Sequence, residues 1–140
     1  MKKSILLFIA MSCFINAFGQ AEKTPKPIAP YSPAVMTSSG LLFISGQIPI
    51  DMETGKLHRG DITVETRIVM ERIGALLKEH NMGYADIVKC TVFMTDIRDY
   101  QAVNKIYGSF FNTKFPAREA IEISNLPLGA SIEISAIASK

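Results

Sequence analysis

The chain has 140 residues, 48% of them hydrophobic, and carries 15 basic and 13 acidic side chains. Two of the basic residues, Lys2 and Lys3, lie in a leader that we expect to be removed, which leaves the mature chain formally neutral. This balance argues against a nucleic-acid-binding protein, which normally has a clear excess of basic side chains on one face, and the length suits one compact domain.

The first 19 residues have the three parts of a secretory signal peptide. Met1-Lys2-Lys3 is the basic start, an apolar run covers residues 5–15, and the small residues Ala17 and Gly19 flank the expected cleavage point. The apolar run is shorter than the roughly twenty residues that cross a bilayer. We therefore predict a periplasmic or secreted protein with no stable membrane anchor after cleavage.

Cysteine and histidine indicate neither a disulfide nor a metal site. A lipoprotein signal at Cys13 is a weaker alternative to simple cleavage, because no branched residue or leucine stands three places before it. Once Cys13 is removed, Cys90 is the last cysteine and no internal disulfide can form. His58 and His80 lack zinc-ligand spacing. We predict no metal and no cofactor.

Residues 20–30 predict an extended linker, because Pro25, Pro27 and Pro30 each disfavour helix at the preceding position. The folded domain is therefore expected over residues 31–140. Within it, residues 41–45 predict a short strand that ends at Gly46, and residues 49–55 have the composition of a hairpin or loop.

A long helix is predicted after Asp61, a good N-cap residue. Asn81 suits the left-handed position at its end. The apolar stripe expected to face the core consists of Ile62, Val69, Ile73, Leu76 and Leu77.

The second half of the chain predicts three strands and one more helix. Residues 87–95 favour a largely buried strand in which Cys90 is an inert core thiol. A helix is expected from about Asp99, with strands at 117–123 and 131–138 around a turn at 126–129. The aromatic and apolar stripe of this helix is typical of core packing and consists of Tyr100, Val103, Tyr107, Phe110 and Phe111.

The predicted order is β-β-α-β-α-β-β, an α+β layer in which two helices cover one face of a sheet. The other face, rich in Ile and Val, then has nothing to cover it. Packing that face against copies of itself in a ring is the economical solution, and it places residues from two chains around each cleft.

Arg118 is the one arginine of residues 115–138, and Glu133 is an isolated glutamate in an otherwise apolar run, both in strand-like surroundings. A guanidinium grips a carboxylate ligand through two parallel hydrogen bonds, and a nearby glutamate can transfer protons. The alternative is a salt bridge that joins two strands.

Several segments are specific as a set, because they recur in one order and spacing. They are Pro30-Tyr31-Ser32-Pro33-Ala34-Val35, Ser45-Gly46-Gln47-Ile48-Pro49, Asp51 with Thr54-Gly55, Val88-Lys89-Cys90-Thr91-Val92-Phe93, Val103-Asn104-Lys105-Ile106-Tyr107, Phe115-Pro116-Ala117-Arg118 and Ile132-Glu133-Ile134. Together they resemble the RidA (YjgF-type) family of enamine/imine deaminases, over nearly all of residues 28–139. The resemblance implies a chorismate-mutase-like α+β protomer with a mixed sheet, a homotrimer, and three ligand clefts between subunits.

The resemblance assigns roles to individual residues. Arg118 resembles the arginine that holds the substrate carboxylate, and Glu133 the glutamate that activates water, so we expect Arg118 a few ångströms from Glu133 on the next strand. Ala120 stands where the deaminases commonly have a cysteine that acts through its main-chain carbonyl. The positions that match residues lining the cleft are Tyr31, Ser45, Gly46 and Asn104. On spacing alone, structural roles are favoured for these four.

Three further positions depart from the family pattern. Glu65 and Arg72 stand where Gln and Asn are more usual, and Ser135 replaces a common acidic residue. These changes are expected to affect trimer contacts or the polarity of the cleft.

The function implied by the resemblance is hydrolysis of 2-imino acids, such as 2-iminobutanoate or 2-iminopropanoate, to 2-oxo acids and ammonia. The alternative is an exported protein that binds a small carboxylate, or interacts with a partner, without turnover. Endoribonuclease activity, which is attached to some family names, fits poorly with the neutral mature charge and the lack of a His or Lys constellation.

Overall fold

The computed structural model describes residues 29–140. The predicted signal peptide, residues 1–19, lies outside this part of the chain, as does the predicted linker up to residue 28. Between residues 29 and 140, no helix combines the length and the apolar content that a membrane-spanning segment requires.

The order of elements is the predicted β-β-α-β-α-β-β. The sequence pattern did not define the bounds of the first strand. The other elements agree with their predicted positions to within about two residues, except that the second helix ends earlier than predicted. The strands and α-helices are β1 (Ala34–Met36), β2 (Leu41–Gln47), α1 (Ile62–Glu79), β3 (Ile87–Met94), α2 (Tyr100–Gly108), β4 (Ala117–Glu122) and β5 (Ile132–Ser139).

The five strands form one mixed sheet in the order β1-β2-β5-β3-β4. The pair β3 and β4 is parallel, and the other neighbouring pairs are antiparallel. Strand β5 therefore lies between β2 and β3, and β4 forms one edge. The α+β architecture and the two helices on one face are confirmed.

Helix α1 begins and ends where its sequence predicts. The Asp61 side chain accepts hydrogen bonds from the backbone N–H groups of Thr63, at 2.8 Å, and Val64, at 3.4 Å. Asn81 has the left-handed φ of 56° expected after the helix. The inward face of α1 is buried against the sheet through Val69, Met70, Ile73, Leu76 and Leu77.

Helix α2 is shorter than its aromatic stripe suggests. It ends at Gly108, so the prediction that Phe110 and Phe111 continue the helical face is wrong. Both rings instead form an aromatic cluster, in which Phe110 lies 5.2 Å from Tyr84 and Phe111 lies 4.8 Å from Tyr107, measured between ring centroids. Phe110 and Phe111 thus pack against neighbouring side chains, as predicted, but from the turn that follows the helix.

The sheet face opposite the helices is exposed in the protomer and carries large apolar side chains. Val35, Phe43 and Ile121 keep 52%, 44% and 44% of their surface accessible, respectively. An apolar sheet face of this kind is a common site of protein association.

Candidate active site

Arg118 lies on the helix-covered side of the sheet, held between two tyrosines of α2. It is paired in the sheet with Cys90, which is fully buried. Its guanidinium carbon is 4.9 Å from the centroid of the Tyr107 ring and 5.6 Å from that of Tyr100, and its Nη2 donates a hydrogen bond to the Tyr100 hydroxyl at 3.2 Å. The tyrosines fix the guanidinium without neutralising it, and no ion pair of Arg118 is found within residues 29–140.

A cavity of about 290 Å³ opens in front of Arg118. The Asn104 amide oxygen is buried there and has no hydrogen-bond partner among the described residues. The Tyr107 hydroxyl is also buried there, and its neighbour is the weakly polar Cys90 thiol. Burial also raises the pKa of Tyr107, so this hydroxyl stays protonated. The cavity thus offers a cation and polar groups ready for a ligand, and it is lined by Asn104, Tyr107, Gly108, Phe115, Pro116 and Arg118.

Glu133 lies in a second cavity, of about 420 Å³, beside an irregularity in β2. The register of β2 against β5 shifts between Ile44 and Gln47, which brings the backbone of Gly46 against the Glu133 side chain. A Cβ at Gly46 would come 2.5 Å from the Glu133 carboxyl carbon, so only glycine leaves room for this conformation of the glutamate.

The Glu133 carboxyl is half-buried, and no hydrogen bond or ion pair reaches it from the described part of the chain. Burial raises the pKa of Glu133 above its ordinary value. A carboxyl of this kind holds and releases a proton closer to neutral pH than an exposed one, which suits acid and base catalysis.

Tyr31 and Ser45 also line the Glu133 cavity. The Ser45 hydroxyl donates to the Ser32 carbonyl at 2.7 Å, and the Ser45 N–H donates to the Pro33 carbonyl at 3.0 Å. These bonds fix the start of the domain over the irregular part of β2, and Tyr31 keeps 48% of its surface exposed at the rim.

Arg72 of α1 lies at the site but was not among the site residues predicted from the sequence. It lines the same cavity as Glu133. Its Nε donates to Gln47 Oε1 and its Nη1 to the Ile50 carbonyl, both at 3.2 Å. In the sequence, Arg72 replaces the Asn usual in the family, from which we expected an effect on trimer contacts or cleft polarity. This did not predict that the side chain lines the cavity of Glu133.

Arg118 and Glu133 do not meet within one protomer. Strand β3 separates β4 from β5, so the expectation that the two residues lie on neighbouring strands is wrong. Arg118 pairs with Cys90 and Glu133 pairs with Phe93, three positions away on β3, so their side chains point to opposite faces of the sheet. The same geometry excludes a salt bridge between the two within one protomer.

The predicted site residues therefore fall into two groups. Asn104 lies with Arg118, while Tyr31, Ser45 and Gly46 lie with Glu133. Ala120, on the same face of β4 as Arg118, packs against the core. Over residues 29–140, no cluster of three or more His, Cys, Asp or Glu side chains has the arrangement of a metal site.

Residues 21–140 match the protein family described as Endoribonuclease L-PSP. A RutC family protein of Pyrococcus abyssi is 45% identical to the chain over 119 residues, which cover 85% of this chain and 93% of that protein. The 2-iminobutanoate/2-iminopropanoate deaminase of Homo sapiens is 38% identical over 128 residues, which cover 91% and 93% of the two chains.

Solved structures share the fold over the same region. The YjgF gene product of E. coli has a TM-score of 0.79 at 36% identity, and the match covers 85% of this chain and 94% of that chain. TdcF of E. coli, whose structure contains bound serine, also has a TM-score of 0.79, at 31% identity, with 86% and 96% covered.

Proposed function

Because the chain belongs to the Endoribonuclease L-PSP family, which includes the YjgF, RidA and RutC proteins, we propose that it hydrolyses 2-imino acids to 2-oxo acids and ammonia. Substrates of the size of 2-iminobutanoate and 2-iminopropanoate are proposed from the name of the human relative. The observation that carries the proposal is the pair of cavities, one with an unneutralised guanidinium and the other with a half-buried carboxyl.

The two cavities form one reaction site if the site lies between protomers. Arg118 and Glu133 point to opposite faces of the sheet, so a substrate that touches both requires Arg118 of one protomer and Glu133 of its neighbour. The exposed apolar face of the sheet supports such association. A closed ring repeats this contact around a symmetry axis, and we propose a homotrimer with three clefts.

In this arrangement the substrate carboxylate binds Arg118, whose guanidinium is already oriented by Tyr100 and Tyr107. The unpartnered Asn104 amide oxygen accepts a hydrogen bond from the substrate nitrogen. These contacts present the carbon of the C=N group to the neighbouring protomer's cavity.

Glu133 then transfers protons. Its carboxylate takes a proton from water as the water oxygen bonds to the C=N carbon, which gives a tetrahedral carbinolamine. The carboxyl then returns a proton to the nitrogen. The C–N bond breaks and ammonia leaves as the carbinolamine hydroxyl becomes C=O and gives its proton to the Glu133 carboxylate. The raised pKa of Glu133 suits a group that acts as base and then as acid. The steps consume one water per imine and need no redox partner.

We propose that the protein acts after export, in the periplasm or outside the cell, because residues 1–19 have the parts of a signal peptide. Export separates it from cytosolic sources of 2-imino acids. That separation, together with the serine bound in TdcF, favours one alternative, an exported protein that binds a small carboxylate without turnover. The formally neutral mature chain argues against RNA as the partner.

Ammonia release in the presence of an amino-acid oxidase that forms the imine in place tests the proposal. Arg118→Ala is expected to raise KM by roughly 30-fold or more, since it removes a charge-assisted contact. Glu133→Ala is expected to lower kcat by about 100-fold or more, since it removes the proton-transfer group. Calorimetric binding of 2-oxobutanoate with no accelerated ammonia release indicates the binding protein instead.

Mixing the two impaired variants tests the shared cleft. After co-refolding of Arg118→Ala with Glu133→Ala, random assembly joins an intact Arg118 to an intact Glu133 in about one quarter of the sites. At a substrate concentration well below the original KM, where each variant alone has little activity, the mixture should regain about one quarter of the original activity. Mixed subunits that stay inactive would contradict a site between protomers.

A further inference from the structure

Arg72 places a second guanidinium in the cavity of Glu133, on a different element from the rest of the site. Two hydrogen bonds, to Gln47 Oε1 and to the Ile50 carbonyl, each 3.2 Å long, hold it against the loop after β2. Gln47 is itself buried and donates to the Ser45 carbonyl at 3.0 Å. The guanidinium is therefore positioned by the same segment that carries Ser45 and Gly46.

The charge of Arg72 has no counterion in the described part of the chain. No ion pair of Arg72 is found over residues 29–140, and its Nη2 makes no hydrogen bond to any of those residues. Glu133 lines the same cavity but forms no ion pair with Arg72. Burial lowers the pKa of Arg72 only from a value far above neutrality, so the side chain remains a cation.

A partly buried cation without a counterion favours an anionic ligand group, because such a group replaces the lost hydration of the charge. The lining of this cavity also includes the apolar residues Ile48 and Pro127. This part of the cavity thus suits a short aliphatic segment that ends in an anion. The ligand class with this shape is an amino-acid derivative that has a carboxylate on its side chain.

We propose that Arg72 binds the side-chain carboxylate of acidic 2-imino acids, so that this chain prefers dicarboxylic substrates such as 2-iminoglutarate. The inference rests on the proposed function. The substrate's first carboxylate occupies Arg118 and its C=N carbon lies at Glu133, so the side chain extends into the Glu133 cavity. Among residues 29–140, Arg72 is the cation that lines this cavity. Hydrolysis of 2-iminoglutarate takes up one water and yields 2-oxoglutarate and ammonia, with no oxidant or reductant.

The opposing interpretation is that Arg72 only ties α1 to the loop after β2. Arg72→Gln separates the two roles, because the amide can still hydrogen-bond to this loop but carries no charge. Arg72→Lys keeps the charge and loses the planar fork. Arg67→Gln is the matched control, since it removes a charge from an exposed position of the same helix, outside the Glu133 cavity.

The measured quantity is the ratio of kcat/KM for 2-iminoglutarate to kcat/KM for 2-iminobutanoate. The ratio is expected to exceed one in the original protein and to fall roughly tenfold in Arg72→Gln, the loss expected for one charge-assisted hydrogen bond that is partly exposed. Arg72→Lys should keep an intermediate ratio, and Arg67→Gln should keep the original ratio.

An equal fall in both kcat/KM values in Arg72→Gln would mean that Arg72 only positions the loop and would overturn the inference. Turnover of 2-iminobutanoate without a preference for 2-iminoglutarate would overturn it too, while leaving the proposed deaminase function intact. If neither imine is hydrolysed, the proposed function fails. Calorimetry then decides the inference: affinity for 2-oxoglutarate that depends on Arg72 supports it, and absent or Arg72-independent affinity overturns it.

Discussion

The backbone of Gly46 forms the surface on which the Glu133 side chain rests. A Cβ at position 46 would lie 2.5 Å from the Glu133 carboxyl carbon and 2.9 Å from its Cγ, well inside van der Waals contact. The φ angle of Gly46 is not in the left-handed region. Glycine is therefore required here by the close approach of a side chain and not by backbone conformation.

Gly46→Ala is expected to move the Glu133 carboxyl while the fold is retained, since the displaced group is the flexible end of a side chain. A displacement of about 1 Å at a reacting group can lower activity about 100-fold, and we expect a fall in kcat of this order. Steady-state kinetics and circular dichroism measure the two effects. Gly83→Ala is the matched control, because a Cβ there meets nothing within 4 Å. A fully active Gly46→Ala variant would contradict this account of the Glu133 position.

The raised pKa of Glu133 predicts a specific dependence of stability on pH. A carboxyl whose pKa is higher in the folded than in the unfolded state binds its proton more tightly when folded, so its stabilising contribution is fully present below its ordinary pKa of 4.5. That contribution is lost as pH rises through the folded pKa. Glu133→Gln cannot ionise, so it should gain stability relative to the original protein as pH increases from about 4 to about 7.

Urea unfolding at fixed protein concentration across this pH range measures the difference between the two proteins. The control is Glu119→Gln, which changes an exposed carboxyl whose pKa is lowered, chiefly by its hydrogen bond with Lys89. The stability of Glu119→Gln relative to the original protein should fall as pH rises, which is the opposite of the change expected for Glu133→Gln. A difference for Glu133→Gln that does not vary with pH would show that the Glu133 carboxyl titrates alike in both states.

Glu65 is expected to be important for stability. The side chain is 1% exposed and accepts hydrogen bonds from the Gly60 N–H at 3.1 Å and from both the N–H and the hydroxyl of Ser131 at 3.2 Å. Glu65→Ala removes a buried acceptor that holds three hydrogen bonds and should lower the free energy of unfolding by about 2–4 kcal/mol. Denaturant unfolding measures the loss, and Glu119→Ala, which removes a partly exposed pair with Lys89, should have a smaller effect.

The Cys90 thiol is expected to be inert in the folded protein. It is fully buried, and burial raises its pKa, which lowers the fraction of reactive thiolate. In protein that begins at Gln20, a thiol reagent at about pH 8 should modify Cys90 only as fast as the chain unfolds, and at once in denaturant. Rapid modification of the folded protein would contradict the buried position.

Local patterns predicted the elements well because their determinants lie close together in the sequence. Asp61 and Asn81 define the two ends of α1 through hydrogen bonds and backbone conformation that involve only neighbouring residues. Helix α2 was predicted too long because the spacing of Phe110 and Phe111 indicates only that their rings are buried. The turn after the helix partly buries them as well.

The relation between Arg118 and Glu133 could not be read from local patterns. Their strands are consecutive in sequence, yet β3 inserts between them, and the order of strands depends on contacts between distant segments. The face of the sheet on which each side chain lies depends on the pairing register of its strand, and a shift of one residue moves the side chain to the opposite face. The position of Arg72 in the Glu133 cavity depends in the same way on how α1 crosses the sheet.

The contacts of Arg118 with Tyr100 and Tyr107 have a thermodynamic consequence for the proposed ligand. A long, freely rotating side chain loses conformational entropy when it closes on a ligand, and that loss weakens affinity. Here the two rings and the hydrogen bond to Tyr100 already restrict the guanidinium before any ligand binds. For the proposed small acid, which has few atoms to contribute to binding, the side chain is therefore preorganised.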